Sequence, residues 1–282
     1  MLRNSPPGDA DIGVLEGRAT NLRRHMLTMA RGQGAGYIGQ GLGIADTLAA
    51  LYFHELRYDP SDVTWAERDR FLLSTGHYSI ALWSALAEAG ILPVDELSTY
   101  GADDSRLEMS TLDTTPGVEL IGGSLGHGLG QAVGQALGLR LQKSVARVFV
   151  ELSDGEMQEG STWEAAMSAS HFKLDGLVAL VDCNGIQADG PVVLDMEPVA
   201  DKWRAFGWDV SEIDGNDMNA IVGALMLARS QNGKPKAIIL RTLPGKGVAR
   251  IETSEKAHFF RVDVKEWDGI IADFEQSVGA MQ

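Results

Sequence analysis

Two spacings of apolar residues recur along the chain. Short, nearly continuous apolar runs read as buried strands over 69–73, 147–152, 177–182, 208–213 and 236–242. Between them, apolar residues return every three or four positions, as Leu22, Met26 and Met29 do. That spacing predicts helices over 17–30, 44–56, 79–90, 125–142, 162–172, 195–207, 217–231 and 263–278. Strands apolar on both faces and alternating with helices predict an α/β fold, a parallel sheet with helices on both faces. Gly90 reads as the left-handed stop of helix 79–90. Residues 1–16, which include Pro6, Pro7 and Gly8, read as a loose tail. Residues 17–282 read as a single domain, because no repeat, low-complexity run or linker divides them.

Glycine changes this picture in two places. The stretch 32–43 is too rich in glycine to read as a helix interior. Gly126, Gly130, Gly134 and Gly138 fall every fourth residue and so share one helix face. A bare face suits a closely packed helix, supplied either by the same chain or by a neighbouring one.

Composition narrows the function. Hydrophobic residues make up 44% of the chain and charged residues 22%, so a buried core is expected and disorder is excluded for most of it. Lys and Arg number 24 against 39 Asp and Glu, a net charge of −15. Such a chain repels nucleic-acid backbones and anionic membranes. It can still hold a small phosphorylated ligand through a metal ion and backbone N–H groups. Cys183 is the single cysteine, which excludes a disulfide within the chain and fits a reducing compartment. With no secretion-signal pattern at the start and no long apolar run, the reading is of a soluble cytoplasmic protein.

Ligands of open parallel sheets sit beyond the carboxyl ends of the strands. Asp154-Gly155 follows one expected strand and Asn184-Gly185 the next, 30 residues on. Either pair alone is an ordinary turn signal. Together, one βαβ repeat apart, they place a carboxylate and an amide oxygen at one sheet edge. Both are hard oxygen ligands suited to Mg²⁺ or Ca²⁺, and Gly155 leaves room for a phosphate at the backbone.

At this point the sequence resembles a known family. SDGEMQEGSTWEAA followed by VDCNGIQADG is similar to the thiamine-diphosphate signature of transketolases. DRFLLSTGHYSIALWSALAEAG, PGVELIGGSLGHGLGQAVG and RTLPGKGVARIETSEKAHF resemble three further transketolase segments, in family order. The resemblance implies a thiamine-diphosphate-binding fold in which Asp154, Asn184 and the Ile186 carbonyl hold Mg²⁺ (or Ca²⁺). It implies that Gly155 contacts the diphosphate and that Gly123 and Leu125 lie against the cofactor rings. His77 and His258 would flank the diphosphate and the reacting centre, and Glu159 would join a carboxylate relay to a neighbouring protomer. Taken alone, His77 could be a packed or surface histidine, but its place after Ser74-Thr75-Gly76 at a strand end favours function. Glu159 could equally cap the following helix, and both roles could hold together. Cys183 reads as a small core residue rather than a nucleophile.

The resemblance covers only the first of the three transketolase domains. It therefore implies a separate, pyrimidine-binding C-terminal subunit, a heterotetramer, and a chain inactive by itself. On the substrate side the pattern departs from the family: Tyr37 and Ser110 stand where histidines are usual. Two lost histidines remove donors for a sugar's oxygens, so the expected activity is two-carbon ketol transfer from an unusual or phosphorylated ketose to an aldose. The alternatives are a component of a thiamine-dependent 2-oxo acid decarboxylase or acyloin synthase, and a non-catalytic cofactor-binding chain. The transketolase-like segments speak against the first alternative, and intact Asp154, Gly155, Glu159 and Asn184 against the second.

Overall fold

Five strands pair into one parallel sheet in a computed structural model that describes residues 9–188 and 190–281. They are β1 (Arg70–Leu73), β2 (Val148–Ser153), β3 (Leu177–Cys183), β4 (Asp209–Asp214) and β5 (Lys236–Arg241). Their order across the sheet is β1-β2-β3-β5-β4, with every neighbouring pair parallel. The longer helices are α1 (Ile12–Gln33), α2 (Ser79–Glu88), α3 (Gly128–Leu141), α4 (Gly160–His171), α5 (Val199–Ala205), α6 (Met218–Leu227) and α7 (Val264–Met281).

The sheet is buried on both sides because its central strands are apolar at nearly every position. Successive strand side chains point to opposite faces. Phe149, Val178, Leu180 and Ile238 join one core with Leu22 and Met26 of α1, Trp83 of α2, Ile221 of α6 and Trp267 of α7. Val148, Val150, Val181 and Ile239 join the other with Val133 of α3, Ala166 of α4 and Trp203 of α5. The expected α/β class, with helices on both faces, is what forms.

At the amino-terminal edge of the sheet, charges do the fastening. Buried Glu55 receives Arg147 at 2.6 Å and Arg229 at 2.7 Å, and buried Asp69 receives Arg57 at 3.0 Å. The carboxyl-terminal edge is thereby left to the loops that carry the candidate residues.

Local structure differs from the sequence reading at several points. Helix α1 begins at Ile12, where the Asp11 carboxylate accepts from the Val14 N–H at 3.1 Å. Residues 12–16, expected in a loose tail, are therefore helical, and residues 1–8 lie outside the described residues. The segment expected as one helix over 44–56 divides into Ala45–Ala50 and a π-helical turn, Leu51–Glu55. Helix α5 starts only at Val199, after Pro198.

The glycine-rich stretch does form a short helix, Ile38–Gly43. Its reason is close packing: a Cβ on Gly39 would stand 2.3 Å from the Ala257 carbonyl oxygen. Only a bare backbone fits there, and tertiary contact overrides poor helix propensity.

The expected glycine face also changes. Gly126 precedes α3, in a left-handed turn at φ 80°, and packs on Glu159 and Ser161. Around Gly130, Gly134 and Gly138 no atom comes within 4 Å of a built Cβ. No helix covers that face among the described residues.

Candidate active site

The register of β2 and β3 pairs Ser153 with Asp182, so the loops that follow leave the sheet side by side. Asp154 ties them together. One carboxylate oxygen accepts from its neighbour Gly155 N–H at 2.7 Å, and the other accepts from the Gly185 N–H, also at 2.7 Å. Asn184 Oδ1 accepts from the Ile186 N–H at 3.0 Å. Its Nδ2 donates to Asp182 Oδ2 at 2.7 Å and to Tyr78 Oη at 2.9 Å. Asp182 is fully enclosed, and the Tyr78 and Thr242 hydroxyls donate to its two oxygens.

Burial pushes the Asp154 carboxyl above the usual range, while the Gly185 and Gly155 N–H groups pull it back. Burial pushes Asp182 up to about 7, with the Asp154 charge adding to the shift and the Thr242, Tyr78 and Asn184 hydrogen bonds opposing it. Among the described residues no group of three or more His, Cys, Asp and Glu could hold a metal. The side chains there offer instead one carboxylate and one amide oxygen. That set fits a hard dication which completes its shell from a ligand's oxygens and water. A Cβ on Gly155 would make ordinary contact with Gln187 Cβ at 3.7 Å, so no close approach forces a glycine there. A cleft of about 490 Å³ opens beside Asp154 and Asn184, bordered by Val193, Asp195 and Arg241. A larger cleft of about 730 Å³ lies along α1 over Arg23, ion-paired to Asp46, and none of the candidate residues lines it.

The aromatic candidates also converge. Tyr37 packs edge-on against His77 at 5.2 Å and His258 at 5.5 Å between ring centroids, and against Phe259 at 4.8 Å. His77 and His258 lie 5.2 Å apart. Burial, with His258 beside it, lowers the His77 pKa to about 3, so this imidazole is neutral at physiological pH. It can offer an N–H and a lone pair but no positive charge.

The His77 turn touches the loop that carries Gly123. A Cβ on Gly76 would stand 2.4 Å from Gly122 Cα. Ser110 Oγ donates to the Gly122 carbonyl at 2.9 Å, so its hydroxyl already supports that loop. Gly123 has φ 144°, and Leu125 is half-buried just beyond it. Glu159 is exposed and its side chain caps nothing, so the helix-cap role is not taken. Cys183 is buried, as expected.

Other buried residues assemble these loops. Glu156 is fully buried; one of its oxygens accepts from the Ser74 hydroxyl and from the Gly126 N–H at 2.7 Å. It joins the β1 turn, the glycine loop and the β2 loop, and burial pushes its carboxyl up to about 7. Tyr78, Asp182 and Thr242 do the same around Asn184. The available signal was weak: Asp182 and Glu156 are acidic residues set in otherwise apolar or tight-turn surroundings.

Residues 18–267 match the family described as transketolase, thiamine diphosphate binding domain. The chain belongs to the transketolase family. It is 54% identical over 267 residues to an uncharacterized transketolase family protein of Sinorhizobium fredii, covering 93% of this chain and 96% of that one. To the 6-deoxy-6-sulfo-D-fructose transketolase subunit of a Clostridium species it is 38% identical, again over 93% and 96%. To an apulose-4-phosphate transketolase subunit of Actinobacillus succinogenes it is 40% identical, over 89% and 92%. Among solved structures, transketolase from Leishmania mexicana superimposes with a TM-score of 0.85 at 30% identity. That match covers 95% of this chain but only 42% of the Leishmania chain. The fold is thus the thiamine-diphosphate-binding part of a transketolase, and the chain is a transketolase-type transferase component. The Clostridium and Actinobacillus relatives are each named as a transketolase subunit.

Proposed function

We propose that this chain is the diphosphate-binding subunit of a two-chain transketolase. With a pyrimidine-binding partner, in a heterotetramer, it transfers a two-carbon ketol unit from a ketose to an aldose. The observation that carries this reading is the Asp154–Gly185 hydrogen bond, which locks the two ligand-bearing loops together at adjacent parallel strand ends. Asp154, the Asn184 amide oxygen and the Ile186 carbonyl are the protein ligands of Mg²⁺ (or Ca²⁺), and the Gly155 backbone meets the diphosphate. Gly123 and Leu125 rest against the cofactor rings. Bound there, thiamine diphosphate would supply a carbon nucleophile for ketol transfer. Neutral His77, with His258 5.2 Å away, orients oxygens of the reacting sugar. Exposed Glu159 faces the partner chain and continues a carboxylate relay there.

The substrate is an unusual ketose, phosphorylated or sulfonated. Tyr37 replaces a histidine with an aromatic wall against His77, His258 and Phe259, and Ser110 is spent on the Gly122 carbonyl. Both changes leave fewer donors for sugar hydroxyls. Relatives named for a sulfosugar and for apulose 4-phosphate support that direction. A cytoplasmic location is supported by the lone buried Cys183, and no helix among the described residues is long and apolar enough to cross a membrane.

The test is a donor panel with the reconstituted two-chain enzyme, Mg²⁺ and thiamine diphosphate. Turnover should require both chains and should vanish in Asp154→Ala. Activity of the pure chain would overturn the half-site reading. Best turnover on xylulose 5-phosphate would overturn the substrate assignment.

A further inference from the structure

We infer that Tyr78 is a positioning residue for the metal site: its buried hydroxyl, with Asp182, fixes which end of the Asn184 amide faces the metal. The inference rests on the reading of Asn184 as a metal ligand. An asparagine amide has one end that only accepts and one that only donates, and only the oxygen can ligate a cation. Rotating the amide by half a turn would exchange them at little cost if nothing opposed it.

Here three elements oppose it. Tyr78, in the turn after β1, donates to Asp182 Oδ2 at 2.9 Å and accepts from Asn184 Nδ2 at 2.9 Å. The same Nδ2 donates to Asp182 Oδ2 at 2.7 Å. Thr242, just after β5, holds the other oxygen of Asp182. An inverted amide would set Oδ1 against a carboxylate and against a hydroxyl whose proton is already given away. It would also set Nδ2 against the Ile186 N–H, which now donates to Oδ1 at 3.0 Å. Tyr78 and Asp182 are 2% and 0% exposed, so water cannot repair those losses. Tyr78 also packs its ring edge-on against His77 at 4.8 Å. One residue thus links the histidine turn to the metal loop.

The experiment uses the two-chain complex with thiamine diphosphate and Mn²⁺ as the probe, free Mn²⁺ being counted by electron paramagnetic resonance. Groups that orient metal ligands commonly cost about 10–100-fold in affinity when removed. Tyr78→Phe should therefore raise the Mn²⁺ Kd at least about tenfold. Thr115→Val, which removes another buried hydroxyl bond (to the Arg106 carbonyl), should leave the Kd unchanged. A loss of affinity in both Asn184→Ala and Tyr78→Phe supports the inference. A loss in Asn184→Ala with Tyr78→Phe at the parental Kd overturns it and leaves the metal reading standing. Parental affinity in Asn184→Ala overturns the metal reading, and the role of Tyr78 with it. Should Tyr78→Phe fail to assemble, Thr242→Val loosens the same carboxylate from its other side and carries the same expected and refuting results.

Discussion

Gly76→Ala probes the contact that joins the His77 turn to the loop holding Gly123. A Cβ at this position stands 2.4 Å from Gly122 Cα, 2.6 Å from Gly122 C and 2.7 Å from Gly123 N. All three are backbone atoms, so no side chain can swing aside. Gly76 lies outside the left-handed region, and the penalty is purely steric. Ordinary contact begins at 3.4 Å, so the two segments must part by about 1 Å. Overpacking of this kind costs about 1–3 kcal/mol, and backbone against backbone places it near the top. At about 2–4 °C per kcal/mol for a chain of this size, Tm should fall by about 6–12 °C. A shift of about 1 Å between reacting groups also costs on the order of 100-fold in rate. The control is Gly130→Ala in α3, where nothing lies within 4 Å; alanine should raise the stability of the isolated chain by up to about 1 kcal/mol. Thermal unfolding by circular dichroism reads stability, and turnover of the reconstituted enzyme reads geometry. A Gly76→Ala protein that melts within about 2 °C of the parent, an effect below 1 kcal/mol, and turns over normally would refute the argument.

Other outcomes follow from the same geometry. His77 stays neutral in the fold down to pH about 3, whereas the unfolded chain protonates it near 6.5, so its contribution is complete above 6.5 and is lost as pH falls. Glu156 and Asp182, pushed up to about 7 from 4.5 and 3.8, take protons in the fold first and favour it over that same acidification. His77→Gln should therefore gain more stability than the parent between about pH 8 and pH 5; equal shifts of the urea midpoint would sink the assignment. Glu55→Ala removes the buried anion shared by Arg147 and Arg229 and should cost about 3 kcal/mol in chemical denaturation. Its turnover per folded molecule should be unchanged, because Glu55 lies at the other edge of the sheet. Tyr37→His should raise kcat/KM on xylulose 5-phosphate relative to the native donor, and an unchanged ratio would remove Tyr37 from the substrate site.

What the sequence determined by itself was the layout. Apolar periodicity is a local property, so the five strands, their alternation with helices and the α/β class were legible within a residue or two at most strand ends. So was the approach of the loops that carry Asp154 and Asn184, because one βαβ repeat returns the chain to the same sheet edge. Tertiary structure decided the rest, where the deciding neighbour lies far along the chain. The helix at Ile38–Gly43 exists because Ala257 presses on Gly39. Glu159 and Glu156 look alike in sequence, yet Glu156 is sealed against Ser74 and Gly126 while Glu159 is exposed. Tyr78, Asp182 and Thr242 meet only because three strand ends converge. Spacing along a chain records which face a residue takes; which buried donor meets which acceptor depends on distances that folding alone sets.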